Sequence, residues 1–135
     1  MVADPMSDTN RRKLKIMVIE DEEDILTLYK DYLTLRGHEV TCSLLNANNI
    51  MSNFDENCPD IALMDYRMTG HKNGIDAAIE ILTEYPQFPI LFVTAYELLR
   101  KDILSYPIFN DKNIRILMKP VLLQEIGEAL LTLVK

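Results

Sequence analysis

Short apolar runs alternate along the chain with longer stretches in which apolar residues recur every three or four positions. The run Leu14-Lys15-Ile16-Met17-Val18-Ile19 has the length of a buried strand and ends abruptly in acids. Ile25, Leu28, Tyr29, Tyr32, Leu33 and Leu35 then follow at helical spacing as far as Gly37, a residue suited to ending a helix. The pattern repeats, predicting a strand over 38–43, a short helix over 47–54 and an apolar strand over 61–64 introduced by Pro59-Asp60. A helix is expected over 74–84 and a strand over 90–93, between Pro89 and Thr94. The remainder predicts a short helix over 97–104, a fifth strand over 114–118 and a last helix over 121–134, with Leu122, Ile126, Ala129, Leu130 and Leu133 on one stripe.

Strict alternation of strand and helix with short joins demands parallel strands, because each helix carries the chain back across the sheet in a right-handed crossover. The expected fold is an α/β, doubly wound three-layer sandwich of five strands and five helices. In such sheets ligands gather beyond the carboxyl ends of the strands, where the strand order reverses. Residues 1–13 are polar, contain Pro5 and lack periodicity, so they predict a flexible leader to a single domain spanning 14–135.

Composition narrows the function classes. The chain has 135 residues, enough for one compact core, and its 14 basic and 21 acidic residues give a formal net charge of −7. That field repels nucleic-acid phosphates, so no direct nucleic-acid partner is expected. No apolar run approaches the roughly 20 residues needed to cross a bilayer, and no secretion signal opens the chain. No membrane partner and a cytoplasmic location are therefore expected. Cys42 and Cys58 lack metal-ligand spacing and are read as inert.

The residues immediately after the apolar runs are chemically distinctive. Glu20 and Asp21 follow the first strand, Asp65 the third, Thr94 the fourth, and Lys119, with Pro120 behind it, the fifth. Three carboxylates brought to one sheet edge repel one another unless a cation or protons offset them. Oxygen ligands without histidine or cysteine suit magnesium, which takes one or two carboxylates, keeps several waters and accepts phosphate oxygens. Lys119 can pair with Asp65 or with a phosphoryl oxygen, and Thr94 can donate a hydrogen bond to another. Phosphoryl transfer onto Asp65 is the natural chemistry of such a set. Taken singly the residues are weaker signals: Glu22, Glu23 and Asp24 read as helix-starting acids, Thr94 as a turn residue and Lys119 as a surface charge.

In order and spacing, Glu20-Asp21, Asp65 within Ile61-Ala62-Leu63-Met64-Asp65-Tyr66-Arg67-Met68, Thr94-Ala95 and Lys119-Pro120 resemble the receiver-domain signature of response regulators in two-component signalling. The resemblance implies a flavodoxin-like sheet of order 2-1-3-4-5. It also implies that Asp65 accepts a phosphoryl group from a histidine kinase, with Thr94 as the switch hydroxyl and Lys119 as the cationic partner. Magnesium would be held by Asp21, Asp65 and the backbone carbonyl of Arg67, with Glu20 assisting. Such a domain is not a turnover enzyme; it catalyses only its own phosphorylation and dephosphorylation, acts on a downstream protein partner or effector, and exists as a monomer or a phosphorylation-dependent dimer. With no further domain after the last predicted helix, a stand-alone receiver or a piece of a larger regulator is expected. The chain departs from the pattern at three places. Thr69 replaces a proline, and the loop 69–73 is one residue longer than usual. Ile116 stands where an aromatic residue is common. Arg67 and Tyr96 are bulky at positions that influence water access, which predicts slow self-dephosphorylation.

Other readings remain open on the residues alone. A phosphatase with an aspartyl nucleophile would want a second aspartate two residues on, where Arg67 stands. A nucleotide- or flavin-binding module would want a glycine- or hydroxyl-rich loop after the first strand, where the acids 20–24 stand. A degenerate receiver serving only as a docking surface would not need the acid, threonine and lysine set. His71 reads as an exposed loop residue, Tyr29 and Tyr32 as packing residues, and His38 has no assigned role.

Overall fold

The computed structural model describes residues 13–66 and 73–134. Five parallel strands, β1 (Lys15–Ile19), β2 (Glu39–Leu44), β3 (Ile61–Met64), β4 (Ile90–Thr94) and β5 (Ile114–Met118), form one sheet in the order β2-β1-β3-β4-β5. Between and after them run α1 (Glu23–Leu35), α2 (Ile50–Asn57), α3 (Gly74–Glu84), α4 (Leu99–Leu104) and α5 (Leu123–Leu133). This is the expected doubly wound, flavodoxin-like architecture. Of the predicted leader, residues 1–12 lie outside the described residues, as do Arg67, Thr69 and His71.

The strands are apolar on both sides because both faces of the sheet are covered. Met17, Ile19, Ala62, Met64, Ile90 and Phe92 point into the layer that holds α2, α3 and α4. Ile16, Val18, Ile61, Leu63, Leu91 and Val93 point the other way, against α1 and α5. At about 25 cal/mol per Å² of apolar surface, these two layers supply the principal drive to fold.

Several boundaries and faces differ from the sequence expectation. Helix α1 buries Leu26, Tyr29 and Leu33, while Leu28 and Leu35 are exposed. Residues 26, 29 and 33 share one stripe at 100° per residue, and 28 and 35 fall off it. Helix α2 starts at Ile50 rather than at 47, because the Asn46 side chain accepts the Asn48 N–H at 2.9 Å and holds that segment in a turn. Helix α4 begins at Leu99 rather than at 97, and a three-residue 3-10 turn, Pro107–Phe109, precedes β5. Leu122 is not on the buried stripe of α5. It stands just before the helix, 68% exposed, with its N–H donated to Glu125 Oε1 at 2.8 Å.

Candidate functional site

Backbone hydrogen bonds beyond the strand ends bring the candidate residues together. Glu20 N–H donates to the Leu44 carbonyl at 2.9 Å, Asp65 N–H to Ile19 at 3.2 Å, and Lys119 N–H to Thr94 at 2.8 Å. Each bond splices a site residue to the neighbouring strand, so β1, β3 and β5 deliver their next residues, Glu20, Asp65 and Lys119, to the edge where β4 ends in Thr94. Glu20 and Asp65 emerge from β1 and β3, the adjacent pair at which the winding direction reverses.

Asp65 also owes its position to α3. The Asn73 side chain accepts the Asp76 N–H at 2.9 Å while Asp76 accepts the Asn73 N–H at 3.1 Å, a reciprocal cap that fixes the start of the helix. The next residue must be glycine, since a Cβ on Gly74 would stand 2.6 Å from the Asp65 carbonyl oxygen. The helix thereby closes directly onto the backbone of the acidic residue.

The side chains form an ion cluster. Lys119 Nζ lies 3.2 Å from Asp65 Oδ2 and 3.6 Å from Glu20 Oε1. Glu20 is almost wholly buried, at 1% exposure, and its second carboxylate oxygen accepts the Glu22 N–H at 3.1 Å. Burial above all, with further push from Asp65 and a hydrogen bond to Asp21, raises the Glu20 carboxyl to about 7; Glu22 and Lys119 oppose the rise. Burial pulls the Lys119 ammonium down, but Asp65 and Glu20 together more than offset it and hold the group above the usual lysine value. Thr94 is buried and its hydroxyl accepts the Tyr96 N–H at 3.1 Å. A cleft of about 500 Å³ opens onto the set, lined by Asp65, Thr94, Ala95, Tyr96 and Lys119 among others.

Glu20, Asp65, Thr94 and Lys119 therefore meet at one edge, and Asp21 reaches them through its hydrogen bond to Glu20. Arg67, the remaining predicted metal ligand, lies outside the described residues. Glu22 adjoins α1, and Glu23 and Asp24 occupy its first turn, as expected of helix-starting acids. Among the described residues no group of three acids, histidines or cysteines is already gathered as a metal cage. The donor set still suits a hard cation: the Glu20 and Asp65 carboxylates share one ammonium, Asp21 adjoins Glu20, all donors are oxygen, and magnesium needs only one or two carboxylates beside its waters.

Sequence reading missed two contributors. Tyr29, taken as packing alone, is buried in α1 and its phenol is raised by burial, with Lys119 opposing and Glu20 and Asp65 adding to the shift. Its hydroxyl thus lies within the electrostatic reach of the cluster. Tyr66 stacks on Tyr96 across the two loops that flank Asp65 and Thr94. An aromatic residue one after the acid and another two after the hydroxyl were the only sequence trace of that contact.

A family model described as the response regulator receiver domain matches residues 16–130 of this chain. A response regulator receiver domain protein from Clostridium thermocellum is similar in structure, with a TM-score of 0.76 and 28% identity, over 90% of this chain and 94% of that one. The signal receiver domain of a modulated diguanylate cyclase from Desulfovibrio desulfuricans G20 gives 0.77 at 19% identity, over 91% and 94% of the two chains. The response regulator PhyR from Brucella abortus gives 0.72 at 23% identity; the match covers 91% of this chain but 48% of PhyR, so this chain spans about half of that protein.

Proposed function

Because the chain belongs to the response regulator receiver family, we propose that it is a signalling phosphoacceptor whose Asp65 takes a phosphoryl group from a histidine kinase. An Asp65 carboxylate oxygen forms the new bond to phosphorus as the bond from phosphorus to the kinase imidazole nitrogen breaks, and that nitrogen takes up a proton. The observation that carries this reading is the Lys119 ammonium, held 3.2 Å from Asp65 and 3.6 Å from Glu20 in a cleft that both Lys119 and Asp65 line. There it can follow the negative charge from the free carboxylate to a phosphoryl oxygen. Thr94 offers its hydroxyl proton to a second phosphoryl oxygen.

Magnesium fits the remaining need. Asp21 and Asp65 would hold it, with Glu20 assisting through water and the Arg67 carbonyl as a further ligand by family resemblance. When bound, the ion neutralises charge spread over the phosphoryl oxygens. The protein's own residues set the acceptor's position, supply the ammonium and present the hydroxyl.

On this reading the domain is a switch rather than a turnover enzyme, catalysing only its own phosphorylation and dephosphorylation. Phosphorylation shifts an existing equilibrium in the face formed by α4, β5 and α5, and a downstream protein partner reads the change. The state is a monomer or a phosphorylation-dependent dimer. A cytoplasmic location accords with the described residues, none of whose helices is long and apolar enough to cross a membrane. The bulk of Arg67 and Tyr96 makes loss of the phosphoryl group slow.

Incubating the chain with a small acyl phosphate and magnesium, then weighing it intact, tests the assignment. The native protein should gain one phosphoryl group and Asp65→Asn none. Uptake that persists in Asp65→Asn, or that needs no divalent ion, would overturn it.

A further inference from the structure

Two aromatic side chains meet beside the cleft, Tyr96 in its lining and Tyr66 stacked on it. Tyr66 follows the acceptor directly, Tyr96 follows Thr94 by two residues, and their rings stack with centroids 4.6 Å apart and planes 11° from parallel. Each is tied down on its far side as well. Gly74 donates its N–H to the Tyr66 carbonyl at 2.7 Å, and the Asn73 amide reaches the Tyr66 hydroxyl at 3.4 Å, so Tyr66 is joined to the start of α3. Tyr96 donates its hydroxyl to Asp102 Oδ2, in α4, at 3.1 Å and its backbone N–H to the Thr94 hydroxyl at 3.1 Å. A continuous line of contacts thus runs from α3 through two rings to α4 and touches Thr94 on the way.

We infer that Tyr66 and Tyr96 are a positioning pair, an aromatic bridge that sets the orientation of the Thr94 hydroxyl and carries any change in it to α4. The inference rests on the phosphoacceptor reading of Asp65. The link is the hydroxyl itself. It accepts the Tyr96 N–H and keeps its own proton for donation, so re-aiming it at a phosphoryl oxygen on Asp65 pulls on the Tyr96 backbone. Tyr96 in turn cannot move without sliding across Tyr66 or stretching its bond to Asp102. Occupancy of Asp65 is converted in this way into a displacement at α4, and the bridge resists the loop opening that admits water to the acyl phosphate.

The test uses the full chain loaded with a small acyl phosphate and magnesium, reading the phosphoryl half-life by intact mass and the α4 amide shifts on loading by NMR. Tyr66→Leu and Tyr96→Leu should each shorten the half-life by about threefold to tenfold, the range a stacked aromatic pair can supply. The double variant should be no worse than the more severe single one, because the rings act as a unit. Tyr66→Phe, which keeps the ring, should restore the half-life toward native, and Tyr96→Phe should weaken the α4 response even though the stack survives. That last variant carries the test should a leucine variant fail to fold. Leucine variants within about twofold of native with undiminished α4 shifts, or effects that multiply in the double variant, overturn the bridge. A native chain that takes up no phosphoryl group overturns the acceptor reading, and the positioning role falls with it.

Discussion

The two ends of the sheet are made by the same strands, yet their polar side chains serve different ends. At the amino end, Asp60 accepts the Lys15 N–H at 2.8 Å and His38 accepts the Leu14 N–H through Nδ1 at 3.1 Å. Each closes a backbone donor that the strand start leaves open. At the carboxyl end the carbonyls of Leu44, Ile19 and Thr94 already close the N–H groups of Glu20, Asp65 and Lys119. The side chains there are surplus to the ladder, and they are charged. Folding gains little from gathering Glu20 and Asp65 around Lys119, since a buried ion pair roughly breaks even against its desolvation and the two carboxylates repel each other. Polar groups that satisfy the backbone account for themselves; the unspent charge at the other end calls for a reaction.

The sharpest way to break this comparison is to disturb each end with the same substitution. At the carboxyl end, Gly74→Ala puts a Cβ 2.6 Å from the Asp65 carbonyl oxygen and 2.8 Å from Tyr66 Cα, both backbone atoms that must shift. We expect a loss of about 2–3 kcal/mol in urea unfolding, together with slowed phosphorylation. At the amino end, Gly37 has φ +91° and nothing within 4 Å of a built Cβ. Gly37→Ala should cost about 1–2 kcal/mol for the left-handed backbone alone and leave phosphorylation as it was. Equal effects on phosphorylation would erase the distinction between the ends.

A smaller effect is expected from Lys119→Met, which keeps much of the chain length and removes the charge shared by Asp65 and Glu20. Glu20, its carboxyl already raised to about 7 chiefly by burial, takes a proton rather than remain a lone buried anion. That relief limits the loss to about 1–2 kcal/mol, below the cost of stranding a charge outright. Phosphorylation should fall well beyond what the stability loss explains. An unchanged unfolding curve with unchanged phosphoryl uptake would show that the ammonium is ornamental.

Much of this geometry was legible in the residues. The runs 61–64 and 114–118 coincide with β3 and β5, and the helix over 74–84 coincides with α3, because apolar continuity and helical spacing are local signals. The residue after each strand could therefore be named, and with it the ion cluster. What spacing could not give was lateral. The Tyr66 and Tyr96 rings meet across two loops, Tyr29 feels Lys119 from a different layer, and His38 finds its donor 24 residues away. The apparent helical pattern of α1 also misled, since Leu28 and Leu35 kept the spacing but faced water while Leu26 was buried.

The smallest expected effect isolates the amino end. Burial first, and the Arg36 charge second, lower the His38 pKa from the ordinary 6.5. The folded ring stays neutral with Nδ1 as acceptor, and a proton there would confront the Leu14 N–H with a second donor. Because the unfolded chain binds that proton more readily, the contribution to stability is complete above pH 6.5 and is lost as pH falls below it, levelling once the folded ring itself titrates. His38→Gln retains an acceptor and removes the titration. Unfolding free energies measured in urea across this range should therefore show native protein losing ground to the variant as the solution is acidified. Glu20 titrates near the same range in both proteins, so subtracting the two curves removes the carboxyl end and leaves the histidine. A difference that stays flat with pH would mean that His38 is not held neutral, and that the amino end too carries charge beyond what its backbone requires.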